Sequence, residues 1–147
     1  MKLKIAWIGK TKEAAIQSLT AEYLKRLARY AEVEGLELRD EAALLQFAAG
    51  KTHGKQRHVL VLLDSRGRQM SSEELAEFMQ EQMERATPVV FAVGAADGFS
   101  QEARAAASTV ISLGKMTLAH ELARVILLEQ LYRGFTILQG HPYHLGH

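Results

Sequence analysis

Two uninterrupted apolar runs, Val59–Leu63 and Val89–Val93, constrain the fold more than any other feature of this chain. A strand with one face in water alternates apolar and polar residues, whereas a strand covered on both faces is apolar throughout. Strands of the second kind occur mainly in parallel sheets, because the crossover helices of such sheets cover both faces. The two runs therefore predict covered strands within a mostly parallel sheet.

Strand and helix patterns alternate in the first third of the chain. Leu3–Ile8 has the pattern of a strand, and Leu36 and Leu38 alternate with charged residues as a half-exposed one. Ala42–Ala49 is predicted as a short helix, followed by a polar loop at Lys51–Arg57. Between the first two strands, spacings of three and four predict an amphipathic helix; its apolar positions are Ile16, Leu19, Tyr23, Leu27 and Tyr30.

The alternation continues towards the C-terminus. Ser71 and Glu74 are spaced as a capping box before an amphipathic helix. Ser100 is predicted to cap a short helix through about Ala107, and Val110–Leu113 is the last strand. The predicted order is five repeats of strand and helix, which indicates the α/β class with helices flanking a mostly parallel sheet.

The last helix has apolar surface on changing sides. Thr117 is predicted to cap it, with Leu118 as its first residue. Its polar positions group on opposite sides in its two halves; they are His120, Glu121 and Arg124, then Glu129, Gln130 and Arg133. A helix that lies only on its own sheet needs one apolar stripe, so we interpret the pattern as contact with a second subunit in a homodimer. A helix wholly buried within one domain is the alternative.

Composition limits the class of protein. A length of 147 residues with 48% apolar content fits a single domain over residues 1–147. The net charge of +1 excludes a general polyanion binder held by charge alone. The chain has no cysteine, and its first apolar run is too short for a signal peptide or a membrane span. These features predict a soluble cytoplasmic protein without membrane contact.

Three loops rich in small residues follow predicted strands: Leu63–Gly67, Gly94–Gly98 and Gly114–Leu118. Ligands of open α/β sheets bind beyond the carboxyl ends of the strands. Small side chains let a ligand reach backbone N–H and C=O groups, which suits an adenine or a ribose. Each glycine by itself could simply end a strand, but three such loops at one edge favour a binding pocket.

Other motifs are excluded by their spacing. Gly9-Lys10-Thr11 lacks the earlier glycine of a phosphate-binding loop, since Lys4 stands there. Gly94 and Gly98 lack the spacing of a dinucleotide fingerprint. The C-terminal histidines at 141, 144 and 147 lie in a tail without a rigid element, so no metal site is predicted.

The segments LDSRGR, VGAADGFS, SLGKMTLAHELARVILLEQLYR and HPYH, in this order, resemble the pseudouridine N3-methyltransferases of the large ribosomal subunit, a family of the SPOUT class. The resemblance covers nearly the whole chain and implies a C-terminal trefoil knot. It also implies a cleft for S-adenosylmethionine, with contacts at Leu63, Gly94, Ala95, Gly114, Lys115, Met116, Thr117, Leu118 and Ala119.

The chain departs from the family pattern at four of its positions. Ala95 stands where the family commonly has a second glycine, Gly114 where it has serine and Ala119 where it has proline. These changes are conservative if the contacts are made by the backbone. The departure at Leu145 is larger, because a basic residue usually follows the Tyr-His pair.

The resemblance implies methylation of N3 of a pseudouridine in 23S ribosomal RNA of the assembled ribosome, and not of DNA. His144 is then the candidate proton acceptor, and Tyr143 is a residue that stacks on or orients the nucleobase. Arg124, Arg133 and Lys10 are candidate contacts to RNA phosphates, with an ion-paired or solvated role as the alternative. Two other functions stay open: a cofactor-binding regulator without transfer activity, and a SPOUT methyltransferase of another RNA.

Overall fold

The computed structural model describes residues 1–144, apart from the side chains of His53 and His144. The strands are β1 (Lys2–Ile8), β2 (Glu32–Leu38), β3 (Val59–Gln69), β4 (Val89–Val93) and β5 (Thr109–Ser112). The helices are α1 (Ala14–Leu27), α2 (Glu41–Ala48), α3 (Ser72–Arg85), α4 (Gln101–Ala106) and α5 (His120–Leu138). Two 3₁₀ turns, at His53–Lys55 and Pro142–His144, complete the described part. The predicted alternation of strands and helices is confirmed.

The five strands form one parallel sheet in the order β2-β1-β4-β3-β5. The two valine-rich runs lie side by side inside it, with Val59 opposite Val89 and Leu63 opposite Val93. Every residue of β4 is buried. The strand prediction from the apolar runs is therefore confirmed.

Helices cover both faces of the sheet and create two cores. On one face, Ile5, Val61 and Phe91 pack against α1, α3 and α5. On the other face, Leu62 and Ala92 pack against α2 and α4. The long helix α5 packs against both α1 and α3, so its remaining surface faces away from the sheet.

Strand β3 runs further than predicted because its pairing with β5 shifts. Ile111 of β5 pairs with Leu63 and again with Arg68, and the residues between bulge away from the ladder. The backbone of Gly67 lies directly on β5, where an added Cβ would come within 2.6 Å of the Ile111 carbonyl carbon. Only glycine fits this crossing without a shift of backbone.

The start of α5 differs from the prediction. The helix begins at His120 rather than Leu118, and its N-cap is Ala119 rather than Thr117. Thr117 lies exposed in a non-helical loop that follows β5. The prediction was wrong because a local cap preference did not account for the path of this loop across the sheet edge.

Candidate functional site

A cleft opens at the carboxyl ends of β3, β4 and β5, with a volume of about 240 Å³. All three predicted loops and the first turn of α5 line it. Seven of the nine residues proposed from the resemblance lie on its wall: Leu63, Gly94, Ala95, Gly114, Met116, Thr117 and Leu118. Lys115 and Ala119 are exposed beside it, in the same loop.

Asp64 joins two of the loops. Its buried carboxylate accepts hydrogen bonds from the backbone N–H of Arg66 at 2.9 Å and of Phe99 at 3.3 Å. The first bond is the local turn that Asp side chains favour, and the second reaches the loop after β4. Asp64 was predicted to lie in this loop, but its link to the second loop was not predicted because its partner Phe99 is 35 residues away.

Backbone geometry in the cleft depends on glycine at two positions. Gly98 has φ +76° and closes a turn by donating to the carbonyl of Ala95 at 2.9 Å. Gly114 has φ +137°, and its N–H donates to Ser112 Oγ at 3.1 Å. L-residues with side chains rarely adopt these backbone angles. The cleft wall includes many small residues, among them Gly94, Ala95 and Gly98, which lets a ligand approach the main chain.

Glu121, in the first turn of α5, holds the start of α1. Its carboxylate accepts hydrogen bonds from the backbone N–H groups of Lys12 and Glu13, both at 3.1 Å to Oε1. These bonds, led by that from Glu13, lower the pKa of Glu121, and they satisfy N–H groups at a helix N-terminus. The loop between β1 and α1 is therefore fixed by a side chain more than a hundred residues away.

Arg124 is buried, with only 2% of its surface exposed. Its Nη1 donates to Thr11 Oγ1 at 2.7 Å, and its guanidinium lies 4.3 Å from the centre of the Trp7 ring. Burial lowers the pKa of Arg124 below the ordinary value of an arginine. The prediction that Arg124 contacts RNA phosphates is contradicted, because this side chain faces β1 and the loop after it.

Lys10 and Arg133 differ in availability. Lys10 is exposed, two residues after β1, at the same sheet edge as the cleft. Arg133 is mostly covered, and its Nη2 donates to Glu129 Oε2 at 2.7 Å. In this structure Arg133 therefore has the ion-paired role that was the alternative to a contact with RNA phosphates.

The tail packs against the middle of α5. The half-buried Tyr143 donates its hydroxyl proton to Glu129 Oε2 at 2.9 Å, and its ring meets the Tyr132 ring edge to face at 4.7 Å. Burial, followed by the bond to Glu129, raises the pKa of Tyr143. The side chain of His144 and all of residues 145–147, including Leu145, lie outside the described residues.

The cleft and the tail lie at different levels of α5. His120 lines the cleft, whereas Glu129 holds the tail. Nine residues of helix separate them by about 13 Å along the axis. One chain therefore does not bring Tyr143 to the cleft wall in this structure.

Two exposed apolar side chains, Leu113 and Met116, line the cleft, and a third, Leu122, lies next to the cleft residue Ala123 on α5. Met116 is 85% exposed, Leu122 is 45% exposed and Leu113 is 36% exposed. Leu122 shows that α5 is not wholly buried within one chain, while its polar neighbours Glu121 and Arg124 face inward. The first half of α5 therefore buries two polar side chains along with the apolar Ala123 and Val125.

Across residues 1–144, none of the helices is both long and apolar enough to cross a bilayer. Among the described side chains, no three histidine, aspartate or glutamate residues gather as a metal site.

Comparison with known proteins gives a consistent result at the family level. Residues 1–144 match the family model described as predicted SPOUT methyltransferase. The chain is 57% identical to ribosomal RNA large subunit methyltransferase H of Koribacter versatilis, with 100% of both chains covered. It is 44% identical to the protein of that name from Geotalea daltonii, over 98% of this chain and 99% of the relative.

Solved structures share the fold at low identity. The SpoU methyltransferase AviRb from Streptomyces viridochromogenes, in complex with AdoMet, has a TM-score of 0.53 at 13% identity, covering 90% of this chain and 57% of that one. The tRNA (m1G37) methyltransferase from Aquifex aeolicus has a TM-score of 0.57 at 14% identity, covering 90% and 70%.

Proposed function

Because the chain belongs to the SPOUT methyltransferase family, we propose that it transfers a methyl group from S-adenosylmethionine to 23S ribosomal RNA. The observation that carries this proposal is the 57% identity, over the full length, to a ribosomal RNA large subunit methyltransferase H. That similarity spans all three loops of the cleft as well as Tyr143 and His144. The proposed target atom is N3 of a pseudouridine in the assembled ribosome.

The cleft residues are proposed to hold the cofactor mainly through their backbone. The loops after β4 and β5 contribute Gly94, Ala95 and the segment 114–119, and β3 contributes Leu63. Main chain and small side chains fit an adenosine recognised by hydrogen bonds to its edges. A trefoil knot is part of the proposal, and it rests on membership of the SPOUT family.

Methyl transfer to N3 requires the protein to align N3 with the methyl group and to remove the N3 proton. When bound, S-adenosylmethionine supplies a methyl group on a positively charged sulfur, and this sulfur leaves as a neutral thioether. The protein must place N3 in line with that methyl carbon and accept the N3 proton as the new bond forms. We assign the proton to His144, whose neutral imidazole accepts a proton near pH 7. Lys10 is the proposed phosphate contact, being exposed at the sheet edge.

A homodimer is proposed as the active form. The separation between the cleft and Tyr143 along α5 supports it, since a partner's tail could then complete the site. The exposed Leu113, Met116 and Leu122 support it too, because apolar residues grouped beside a cleft favour contact with another subunit. The net charge of +1 further suggests that the shape of the ribosome matters more than a broad basic surface.

Transfer of labelled methyl groups to ribosomes tests the function. Ribosomes with pseudouridine should accept label in 23S RNA, and ribosomes that lack pseudouridine should not. Cofactor binding without methyl transfer to either kind of ribosome would favour a cofactor-binding regulator. That alternative stays open because Leu145 stands where the family usually has a basic residue. Label in a different RNA would favour another SPOUT substrate.

A further inference from the structure

Glu129 is held at the centre of a hydrogen-bonded group on the outward side of α5. Its Oε2 accepts from Tyr143 Oη at 2.9 Å and from Arg133 Nη2 at 2.7 Å, and its Oε1 accepts from Gln130 Nε2 at 2.9 Å. Three donors therefore fix one carboxylate. An ordinary surface pair between Glu129 and Arg133 would leave its geometry free.

The group continues to a second helix. Ser72, the first residue of α3, donates to Gln130 Oε1 at 2.6 Å. A chain of side-chain bonds thus runs from α3 across α5 to the tail. Helices α3 and α5 also pack closely at Gly134, where an added Cβ would meet Met79 Sδ at 2.5 Å. The support for Glu129 therefore comes from two helices in direct contact.

The ring of Tyr143 is enclosed as well. Tyr132 packs against it at 4.7 Å between ring centres, and the Arg133 guanidinium lies 5.2 Å from its centre. The Tyr143 N–H donates to His141 Nδ1 at 3.3 Å. Hydroxyl, ring and backbone are all engaged on the protein itself, which is unlike a side chain awaiting a nucleobase.

We propose that Glu129 is a positioning residue, supported by Gln130 and Ser72, and that Tyr143 is the anchor through which it fixes the tail. This inference rests on the proposed function, because the tail is where the methyl acceptor is handled. It changes the role of Tyr143 from a group that touches the base to one that sets the position of His144. A phenol that donates to a carboxylate keeps its proton, so Tyr143 is also excluded as the proton acceptor.

The test uses Tyr143→Phe and Glu129→Gln, alone and combined. Each single change removes the same bond, or its charge, while keeping side-chain size. We expect each to lower kcat for ribosome methylation about tenfold with an unchanged Kd for S-adenosylmethionine, since hydrogen bonds to charged groups have effects of this order. The double variant should be no worse than the more affected single variant, because both act through one interaction.

Matched controls separate this role from general stability. Tyr30→Phe removes the hydroxyl of another tyrosine in the same aromatic group, one that stacks on Phe135. Glu22→Gln breaks an i,i+4 ion pair with Arg26 on α1. Both controls should methylate at the wild-type rate. Full turnover by Tyr143→Phe, or additive losses in the double variant, would overturn the proposal.

A second readout does not depend on methylation. With ¹³C at the tyrosine ring carbon Cζ, titration should show Tyr143 losing its proton well above the ordinary value near 10. The carboxylate of Glu129 contributes to that raised pKa, so Glu129→Gln should lower it. Tyr23, which also faces Tyr143, is present in both proteins. An unchanged titration in Glu129→Gln would refute the proposal that Glu129 positions Tyr143, even if the wild-type chain methylated no ribosome and the proposed function itself failed.

Discussion

The two halves of α5 use the same residue types in opposite ways. In the first half, Glu121 and Arg124 face inward and bind the loop after β1, while Leu122 faces out. In the second half, Glu129 and Arg133 lie on the outer side and bind the tail. The first pair therefore fixes the loop after β1, and the second fixes the tail. The spacing of glutamate and arginine along the helix does not show whether the two side chains bind a distant loop or the tail.

The largest effect is expected from Arg124→Ala in the inward half. It removes a buried side chain from Trp7 and Thr11 and leaves a cavity, which should lower the free energy of unfolding by about 3 kcal/mol. Urea unfolding at a fixed protein concentration measures this. Arg39→Ala is the control, since that side chain is 90% exposed and should change stability by less than about 0.5 kcal/mol. Equal stabilities of the two variants would contradict the contrast between buried and exposed arginine.

Leu122→Asp should affect association rather than folding. A charge on this exposed position would be buried in the proposed subunit contact, so dimer dissociation should become at least roughly tenfold easier. Analytical ultracentrifugation gives the dissociation constant, and circular dichroism reports on the fold. Glu81→Lys, an exposed charge change on α3, is the control. An unaltered dimer would place the interface elsewhere.

Glu121→Gln should give a smaller loss of stability that depends on pH. The pKa of Glu121 is lowered in the folded chain, so its contribution is full above the ordinary value of 4.5 and is lost as the pH falls through the folded value. The difference from wild type should therefore be largest near neutral pH and shrink in acid. A difference that is constant across this range would exclude the charged carboxylate as its cause.

The smallest effect is expected from Lys10→Ala. Loss of one phosphate contact should raise KM for ribosomes roughly two- to fivefold and reduce the salt slope of binding by about one. Lys25→Ala, an exposed lysine on α1, should change neither quantity. Equal behaviour of the two variants would remove Lys10 from the RNA surface.

Sequence patterns were sufficient to predict the parallel sheet and the edge of the sheet at which the cleft lies. The continuous runs at 59–63 and 89–93 predicted covered strands because burial on both faces leaves no polar position. Small residues after those strands indicated the binding edge, and the structure brings Leu63, Gly94 and Gly114 to one cavity. Such features are local, so they can be read from short segments.

Long-range roles could not be predicted from the sequence. Arg124 seemed a surface cation because its partners, Trp7 and Thr11, are far away in the chain. Asp64 was not identified as the link between two loops for the same reason. Glu129 and Arg133 have a spacing that is common on exposed helices. Nothing in that spacing indicates that Glu129 also accepts a hydrogen bond from Tyr143.

In the proposed homodimer, the cleft of one chain works with the tail of its partner. His144→Ala, with an intact cleft, can be mixed with Ala95→Phe, which obstructs the cleft but keeps the tail. Each variant alone should methylate no ribosomes. After unfolding and joint refolding in equal amounts, random pairing should restore about a quarter of wild-type activity. Mixtures as inactive as the separate variants, with mixed dimers demonstrated, would contradict a site shared between subunits.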